Sequence, residues 1–277
     1  MHTDLVDWKR CKSARAGIIR AMWSAAGPPE EAVLPGIVAP DSHVEFVFHL
    51  ADTWRMQRAG RAEWMTQPAA FVYAQHRGGL RFAGTHAVSL VAFRVSPVVA
   101  SRILNRSLTH VWDAPIALED LIGAEAFTLL EQLHRTGTSE RFVILARWVE
   151  RRLHDWAAEH WAAQRLFNSV MWSSQGTTIA GLASTLGPSA RSMRRIFAEH
   201  SGLSAKAVQL SGRLLDACAL LRETSALNIA EIAATVGFHD HAALTHAFTD
   251  RIGLTPAQFR AEPHAFYERR SVSPPPA

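Results

Sequence analysis

The pattern of hydrophobic and polar positions divides the chain into two parts. In the first part the period is two, most clearly over residues 44–50, where one face of a predicted strand is apolar: Val44, Phe46, Phe48 and Leu50. Residues 88–95 form another apolar, β-prone run, and the pair Gly78-Gly79 separates such segments. We therefore expect a small antiparallel barrel or sandwich over roughly residues 30–97.

From about residue 118 the period becomes helical. Apolar residues recur three or four positions apart with charged residues between them: Phe142, Leu145, Val149, Leu153 and Trp156. Packing of this stripe onto the barrel is the favoured interpretation, and a dimer seam is the alternative. Residues 160–262 continue as helices broken by short turns, and the Ser- and Pro-rich end is predicted to be disordered.

An internal repeat is the strongest signal in the C-terminal part. Residues 182–187 and 232–237 share the order apolar-Ala, two residues, apolar-Gly. Each copy continues with the same kinds of residue at matching places: a capping residue (Ser189, Asp240), a phenylalanine (Phe197, Phe248) and a Gly-Leu-Ser/Thr end. The two copies therefore indicate one supersecondary unit used twice.

The physical requirements of a helix-turn-helix account for each repeated position. The alanine permits two helices to approach closely, and the glycine takes the left-handed conformation that ends the first helix. Ser189 and Asp240 cap the second helix, which apolar residues anchor from behind: Met193, Phe197, Leu244 and Phe248. A plain α-hairpin repeat with no DNA role is the alternative. Agreement of four features in two copies favours the helix-turn-helix.

Residues 228–238 resemble the signature of the AraC/XylS transcriptional regulators, and the resemblance continues through Asp240, Phe248, residues 253–256 and Phe259-Arg260. Further matches lie in the joining helix: Arg213, Ala217 and Leu220-Leu221. The resemblance implies seven C-terminal helices, with a long central helix over about Ala205 to Arg222. It also implies two recognition helices in successive major grooves, about 34 Å apart.

The N-terminal part resembles, more faintly, the cupin-like sensory domains of such regulators, through residues 40–46 and 118–123. The expected fold class is therefore α+β. Residues 1–157 form a cupin-like sensor or dimerisation domain, with a small antiparallel β-barrel and packed helices. Residues 158–265 form an all-α double helix-turn-helix DNA-binding domain, and residues 266–277 form a disordered tail.

The first recognition helix is expected over about Ala190 to Phe197, with Ser189 and Ala190 at the DNA. Its arginines lie on one face at i, i+3 and i+4: Arg191, Arg194 and Arg195. Arginine binds guanine O6 and N7 through two hydrogen bonds, so we expect Arg191 and Arg195 to contact bases and Arg194 to hold phosphate. A basic face that contacts only phosphate or solvent is the alternative.

The second recognition helix, about His241 to Phe248, departs from the family pattern. Its groove-facing candidates are His241, Ala242, Ala243, Thr245 and His246. His246 stands where the family usually has arginine. Thr249, which is followed by Asp250, stands where the family usually has a basic residue. The first unit is therefore expected to supply most of the affinity and specificity, and the second to add phosphate contacts and orientation.

Composition adds modest constraints. The formal net charge of +4 over 277 residues only weakly favours a polyanionic partner. Two cysteines far apart in sequence, Cys11 and Cys218, suit a reducing cytosol. The start of the chain lacks the apolar segment of a signal peptide, and no run approaches the ~20 apolar residues of a membrane span. We expect a soluble, cytoplasmic protein without membrane association.

The N-terminal domain is expected to sense an effector that the sequence does not name. Its histidines, His43, His49, His76 and His86, lack the His-x-His pair of metal-binding cupins, so no metal and no cofactor are expected. Three aromatic residues suit either a pocket lining or the core: Trp54, Trp64 and Phe71.

The sequence thus predicts a transcription factor that binds double-stranded DNA and is not an enzyme. Its further expected partners are RNA polymerase if it activates, a small-molecule or protein effector, and a second copy in a homodimer. Two other functions stay open. One is a cupin-type metalloenzyme fused to a DNA-binding module, and the other is a ligand-independent DNA-binding protein.

Overall fold

The structure is a computed structural model. It describes residues 6–7, 17–27, 37–74, 77–84, 87–109, 113–173, 177–223, 226–262 and 265–266.

The strands lie mainly in the N-terminal part and form two sheets. They are β1 (Val6–Asp7), β2 (Ile19–Gly27), β3 (Ile37–Val38), β4 (Val44–His49), β5 (Arg55–Arg58), β6 (Trp64–Thr66), β7 (Ala70–Ala74), β8 (Leu80–Ala83), β9 (Val88–Val95), β10 (Ile116–Ala117) and β11 (Ala265–Phe266). The first sheet is antiparallel, in the order β1-β2-β9-β4-β7-β10. The second has the order β11-β3-β8-β5-β6, with β11 parallel to β3.

The helices follow. They are α1 (Pro97–Leu104), α2 (Leu118–Ile122), α3 (Ala124–His134), α4 (Thr138–Arg152), α5 (Ala158–Met171), α6 (Ile179–Leu186), α7 (Ala190–Ser201), α8 (Ala205–Glu223), α9 (Ile229–Thr235), α10 (His241–Ile252) and α11 (Pro256–Ala261). The described residues from 158 to 261 therefore contain seven helices, and α8 matches the expected central helix. None of the described helices has both the length and the apolar character needed to cross a membrane.

The mixed α+β architecture is confirmed, and of the barrel and the sandwich that the sequence allows, the described strands form no closed barrel. They pair as two separate sheets, and β2 begins well before residue 30. Alternation along a strand determines which side chains share a face, but it does not determine which strand edges pair. Phe266, the first residue of the predicted tail, lies in β11, and residues 267–277 lie outside the described residues.

Strand β4 is buried on both faces. Phe46 stacks on Phe93 of β9, with ring centroids 4.6 Å apart, in a core shared with the helices. Val47, one residue on, points into a core between the two sheets together with Met56 and Leu80. The first sheet is therefore a middle layer between helices and the second sheet.

The apolar stripe of α4 packs inside the chain. Leu145, Val149 and Leu153 are at most 1% exposed, and Phe142 and Trp156 are also buried. All five belong to the core between the helices and the first sheet. The packing interpretation is therefore the correct one, and the stripe is not available as a dimer seam.

Candidate DNA-binding surface

Helices α6 and α7 form the first repeated pair. Thr178 opens α6 by accepting a hydrogen bond from the Gly181 amide at 3.0 Å. Gly187 ends α6 with a φ of 92°, a conformation that favours glycine, and donates its N–H to Ala183 O at 3.0 Å. Ser189 Oγ accepts from the Ser192 amide at 3.1 Å and opens α7. The cap and turn chemistry expected from the repeat is confirmed in this copy.

Helices α9 and α10 form the second pair. Asn228 and Glu231 make a reciprocal capping box at the start of α9, with distances of 2.7 and 2.9 Å. Asp240 Oδ1 accepts from the Ala243 amide at 2.7 Å and opens α10. This hydrogen bond holds the pKa of the Asp240 carboxyl below its usual value.

The apolar residues expected to anchor α7 and α10 lie on the buried face of each helix. Met193, Leu244 and Phe248 are fully buried, and Phe197 is 3% exposed. Ala183 and Ala233, the small residues at the helix contacts, are buried too. One face of each helix is therefore held in a core, and the opposite face is left to solvent.

The exposed face of α7 carries the three predicted arginines. Arg191, Arg194 and Arg195 are all exposed. Arg195 Nη1 pairs with Glu199 Oε1 one turn along at 3.1 Å, and both side chains are at least half exposed. Ser189 is exposed as well, whereas Ala190 is half-buried and packs against the core. The sequence spacing predicted the exposed arginine face but not the ion pair between Arg195 and Glu199.

The predicted residues of α10 divide into two groups. His241, Ala242, Ala243 and His246 are exposed. Thr245 is half-buried, and its hydroxyl oxygen is enclosed without a hydrogen-bond partner among the described residues. The open face of α10 therefore offers imidazole and methyl groups and lacks the guanidinium groups of α7.

Central helix α8 contacts both pairs through two polar side chains one helical turn apart. Gln209 Nε2 donates to Thr177 O at 2.7 Å, just before α6. Arg213 Nε donates to Val236 O at 2.9 Å, its Nη2 donates to Gly237 O, and its guanidinium lies 4.0 Å from the centroid of the Phe238 ring. Partial burial lowers the pKa of Arg213. Gln209 therefore holds the segment that leads into α6, and Arg213 holds the turn between α9 and α10. The sequence repeat gave no sign of the role of Gln209.

The two N-terminal histidines that the structure describes, His43 and His49, lie in separate buried environments. Burial lowers the pKa of His43 to about 4, and its ring packs edge-on against Phe167. His49 Nε2 hydrogen-bonds Gln67 Oε1 at 2.8 Å, and burial lowers its pKa as well. His76 and His86 lie outside the described residues. No three His, Cys, Asp or Glu side chains in the described ranges are grouped to hold a metal ion.

A family model described as a helix-turn-helix domain matches residues 182–262, which span both helix pairs. Comparison of the sequence with curated proteins gives no match. The repeat, the capped helices with buried backs and the family match define a DNA-binding transcription regulator. The matched helix-turn-helix domain lies in the C-terminal part of the chain.

Solved structures of such regulators are similar to parts or most of the chain. The C-terminal domain of the response regulator YesN from Fusobacterium nucleatum is 27% identical, with a TM-score of 0.33, covering 35% of this chain and 97% of that one. ToxT from Vibrio cholerae O395 is 10% identical, with a TM-score of 0.44, covering 82% of this chain and 91% of that one.

Proposed function

We propose that the chain binds DNA sequence-specifically through two helix-turn-helix units, α6–α7 and α9–α10. The observation that carries this proposal is the exposed face of α7. Three arginines lie there at i, i+3 and i+4, directly after the residue that caps the start of the helix. The opposite face of the helix is buried in the core. A helix with this arrangement presents its first turns to the major groove.

Within this proposal Arg191 and Arg195 contact bases, and Arg194, with Ser189 and Ala190 beside it, holds the backbone. Arginine is the side chain best suited to read guanine in the major groove. Helix α10 supplies fewer charged contacts, since its open face carries His241, His246 and alanines. The first unit therefore supplies most of the specificity, and the second fixes orientation.

We further propose that residues 1–157 sense an effector, and that its site is the core between the two sheets. Trp54 Nε1 in this core and Nδ1 of His49, whose ring lies beside Trp54 and Phe71, are buried and have no hydrogen-bond partner among the described residues. Leaving such a group unpaired costs about 1–3 kcal/mol. Because Gln67 Oε1 accepts from His49 Nε2, the neutral ring leaves Nδ1 as an acceptor, while the Trp54 N–H is a donor.

The matching effector is a small molecule with a hydroxyl or amide group on an apolar body. The apolar wall is formed by Phe71, Met56 and their neighbours. Binding there should raise the melting temperature of the wild type more than that of a His49→Phe variant. Equal shifts in both proteins would place the effector elsewhere.

In this proposal the chain is not an enzyme and acts in the cytoplasm. An activating role adds RNA polymerase as a partner. A homodimer uses a surface other than the buried stripe of α4.

The test is selection of bound sequences from a random duplex pool at fixed salt, because phosphate contacts make affinity salt-dependent. The same selection is run on an Arg191→Ala/Arg195→Ala double variant. Arg147→Ala, which removes an exposed arginine from α4, is the matched control. We expect a motif whose guanine positions are lost only in the double variant. Folded wild-type protein that enriches no sequence at any salt would overturn the proposal.

A further inference from the structure

The C-terminal end of α10 is hydrogen-bonded to the N-terminal part of the chain. The Gly78 amide donates to Arg251 O, and the Gly79 amide donates to Ile252 O, both at 2.7 Å. The last carbonyls of a helix have no partner within it, so these two amides satisfy groups that otherwise need water or a cap. Both hydrogen bonds join backbone atoms, so a change of side-chain rotamer does not break them.

The contact leaves no space for a larger residue. A Cβ at Gly79 would overlap the side chain of Ile37 and come within 2.8 Å of Ile252 O, a backbone atom that cannot rotate away. Gly253, with a φ of 80°, would bring a Cβ within 3.0 Å of Ala59 Cβ. The Ala59 amide in turn donates to Gly79 O at 2.7 Å. Ala59, Gly78 and Gly79 form one surface, called here the glycine contact.

The second helix pair also shares its core with β3. Ile37 and Ala39 are buried in the same cluster as Phe248 of α10 and Phe259 of α11. Two ion pairs flank the contact, Arg77 with Asp250 at 3.6 Å and Arg81 with Glu262 at 3.1 Å. The α9–α10 unit is therefore packed as part of the N-terminal fold.

The glycine contact continues directly into the second sheet. Ala59 follows β5, Gly79 precedes β8, and these strands pair with Arg58 opposite Leu80. Leu80 and Met56 are part of the inter-sheet core that contains Trp54, whose ring lies beside His49. A displacement of β5 or β8 would therefore move Gly79, whose amide is hydrogen-bonded to Ile252 O at the end of α10.

The other end of α10 is free of this contact. His239, just before the helix, is 94% exposed, and the first residues of the helix are exposed as well. The helix is thus held at its C-terminal end while its start stays open to a groove. A support of this geometry orients the helix without covering its DNA-facing side.

We propose that the glycine contact, which continues into the second sheet, positions the second recognition helix. This inference rests on the proposed function, because it assigns α10 to DNA. Holding the helix in advance lowers the entropy lost on binding, so affinity depends on the contact. Gly78 and Gly79 act here as positioning residues, and they touch no DNA.

The first test measures affinity of the full chain for two duplexes taken from the selected motif. One has the segments for both helix pairs, and in the other the second segment is randomised. Gly79→Ala should weaken binding to the complete duplex about tenfold and leave binding to the other within twofold. Gly137→Ala makes the same change at an ordinary φ of −79° with nothing within 4 Å, and it should alter neither.

Equal binding of the complete duplex by Gly79→Ala and wild type would overturn the proposal, as would equal losses on both duplexes. A second measurement needs no variant: amide exchange of Gly78 and Gly79 in the wild type should be slow in the free chain and in the DNA complex. Fast exchange in the free chain would also overturn it. Absence of specific DNA binding by the wild type would instead overturn the proposed function, and the exchange of the free chain would still decide whether the contact exists.

Discussion

Ser42 and Ser211 share a buried hydrogen bond, with their hydroxyl oxygens 2.7 Å apart. Ser42 lies next to β4 in the N-terminal part, and Ser211 lies in central helix α8, 169 positions further along. The Ser211 hydroxyl also donates to Ala207 O at 3.2 Å, so the pair is part of a short chain of hydrogen bonds. The helix that joins the two repeated units is therefore tied directly to the sheet region.

Removing both partners of this pair should cost less than the sum of the costs of removing each one alone. Ser42→Ala leaves the buried Ser211 hydroxyl with a lost partner, and we expect the free energy of unfolding to fall by about 1–2 kcal/mol. The Ser42→Ala/Ser211→Ala double variant should lose less than the sum of the two single variants. Chemical denaturation of the four proteins gives the coupling energy, and strict additivity would show that the bond is not formed in solution.

The ion pair between Arg195 and Glu199 should compete with DNA. Because Arg195 has to leave Glu199 to contact a base, Glu199→Gln should raise affinity for the selected duplex about two- to fivefold. Glu159→Gln removes an equally exposed negative charge from α5 and is the control for overall charge. A gain of the same size in both variants would assign the effect to net charge and not to Arg195.

His43 should make stability depend on pH. Its pKa falls from an ordinary 6.5 to about 4 on folding, because burial disfavours the charged ring. The unfolded chain therefore binds a proton between these values that the folded chain does not. The contribution is fully present above pH ~6.5 and is lost as the pH falls toward about 4, by roughly 2 kcal/mol between pH 7 and pH 5.

Denaturant titrations at pH 7 and pH 5 check this prediction. A His43→Gln variant should be less stable at pH 7 but should lose less stability than the wild type on going to pH 5. His49, whose pKa is also lowered by burial, acts in the same direction and remains in both proteins. An identical pH dependence of the two proteins would contradict the assignment to His43.

Gly212 should tolerate no side chain. It lies inside α8, where alanine would favour the helix by about 1 kcal/mol. A Cβ at this position would, however, overlap the carbonyl oxygen of Met171 at the end of α5. The steric cost should dominate, and Gly212→Ala should lower the free energy of unfolding by about 3 kcal/mol or more. A melting temperature equal to or above that of the wild type would show that α5 and α8 are further apart.

The local features of the DNA-binding region could be predicted from the sequence because each depends on neighbouring residues. Caps at Ser189 and Asp240, turns at Gly187 and Gly237 and the arginine face of α7 follow from spacing and side-chain chemistry over fewer than ten positions. Thr245 shows where this reasoning stops. Its place in the repeat suggested a groove position, but packing encloses its hydroxyl.

The sheets show the same limit on a larger scale. Alternation identified β4, since a strand exposes successive side chains to opposite faces. It could not show that both faces are covered, or that the described strands form two sheets without closing. Pairing partners are chosen by contacts distant in sequence, and no local pattern encodes them.

The sequence by itself determined the repeated pair of helices, the α+β class and the exposed arginine face of α7. Only the tertiary structure decided that Ile37 belongs to the core of the second helix pair and that Gly78 and Gly79 hold the end of α10. The physical reason is that helix caps and amphipathic faces arise from short-range geometry. A contact between residues 79 and 252 exists only once both segments have packed against a common core.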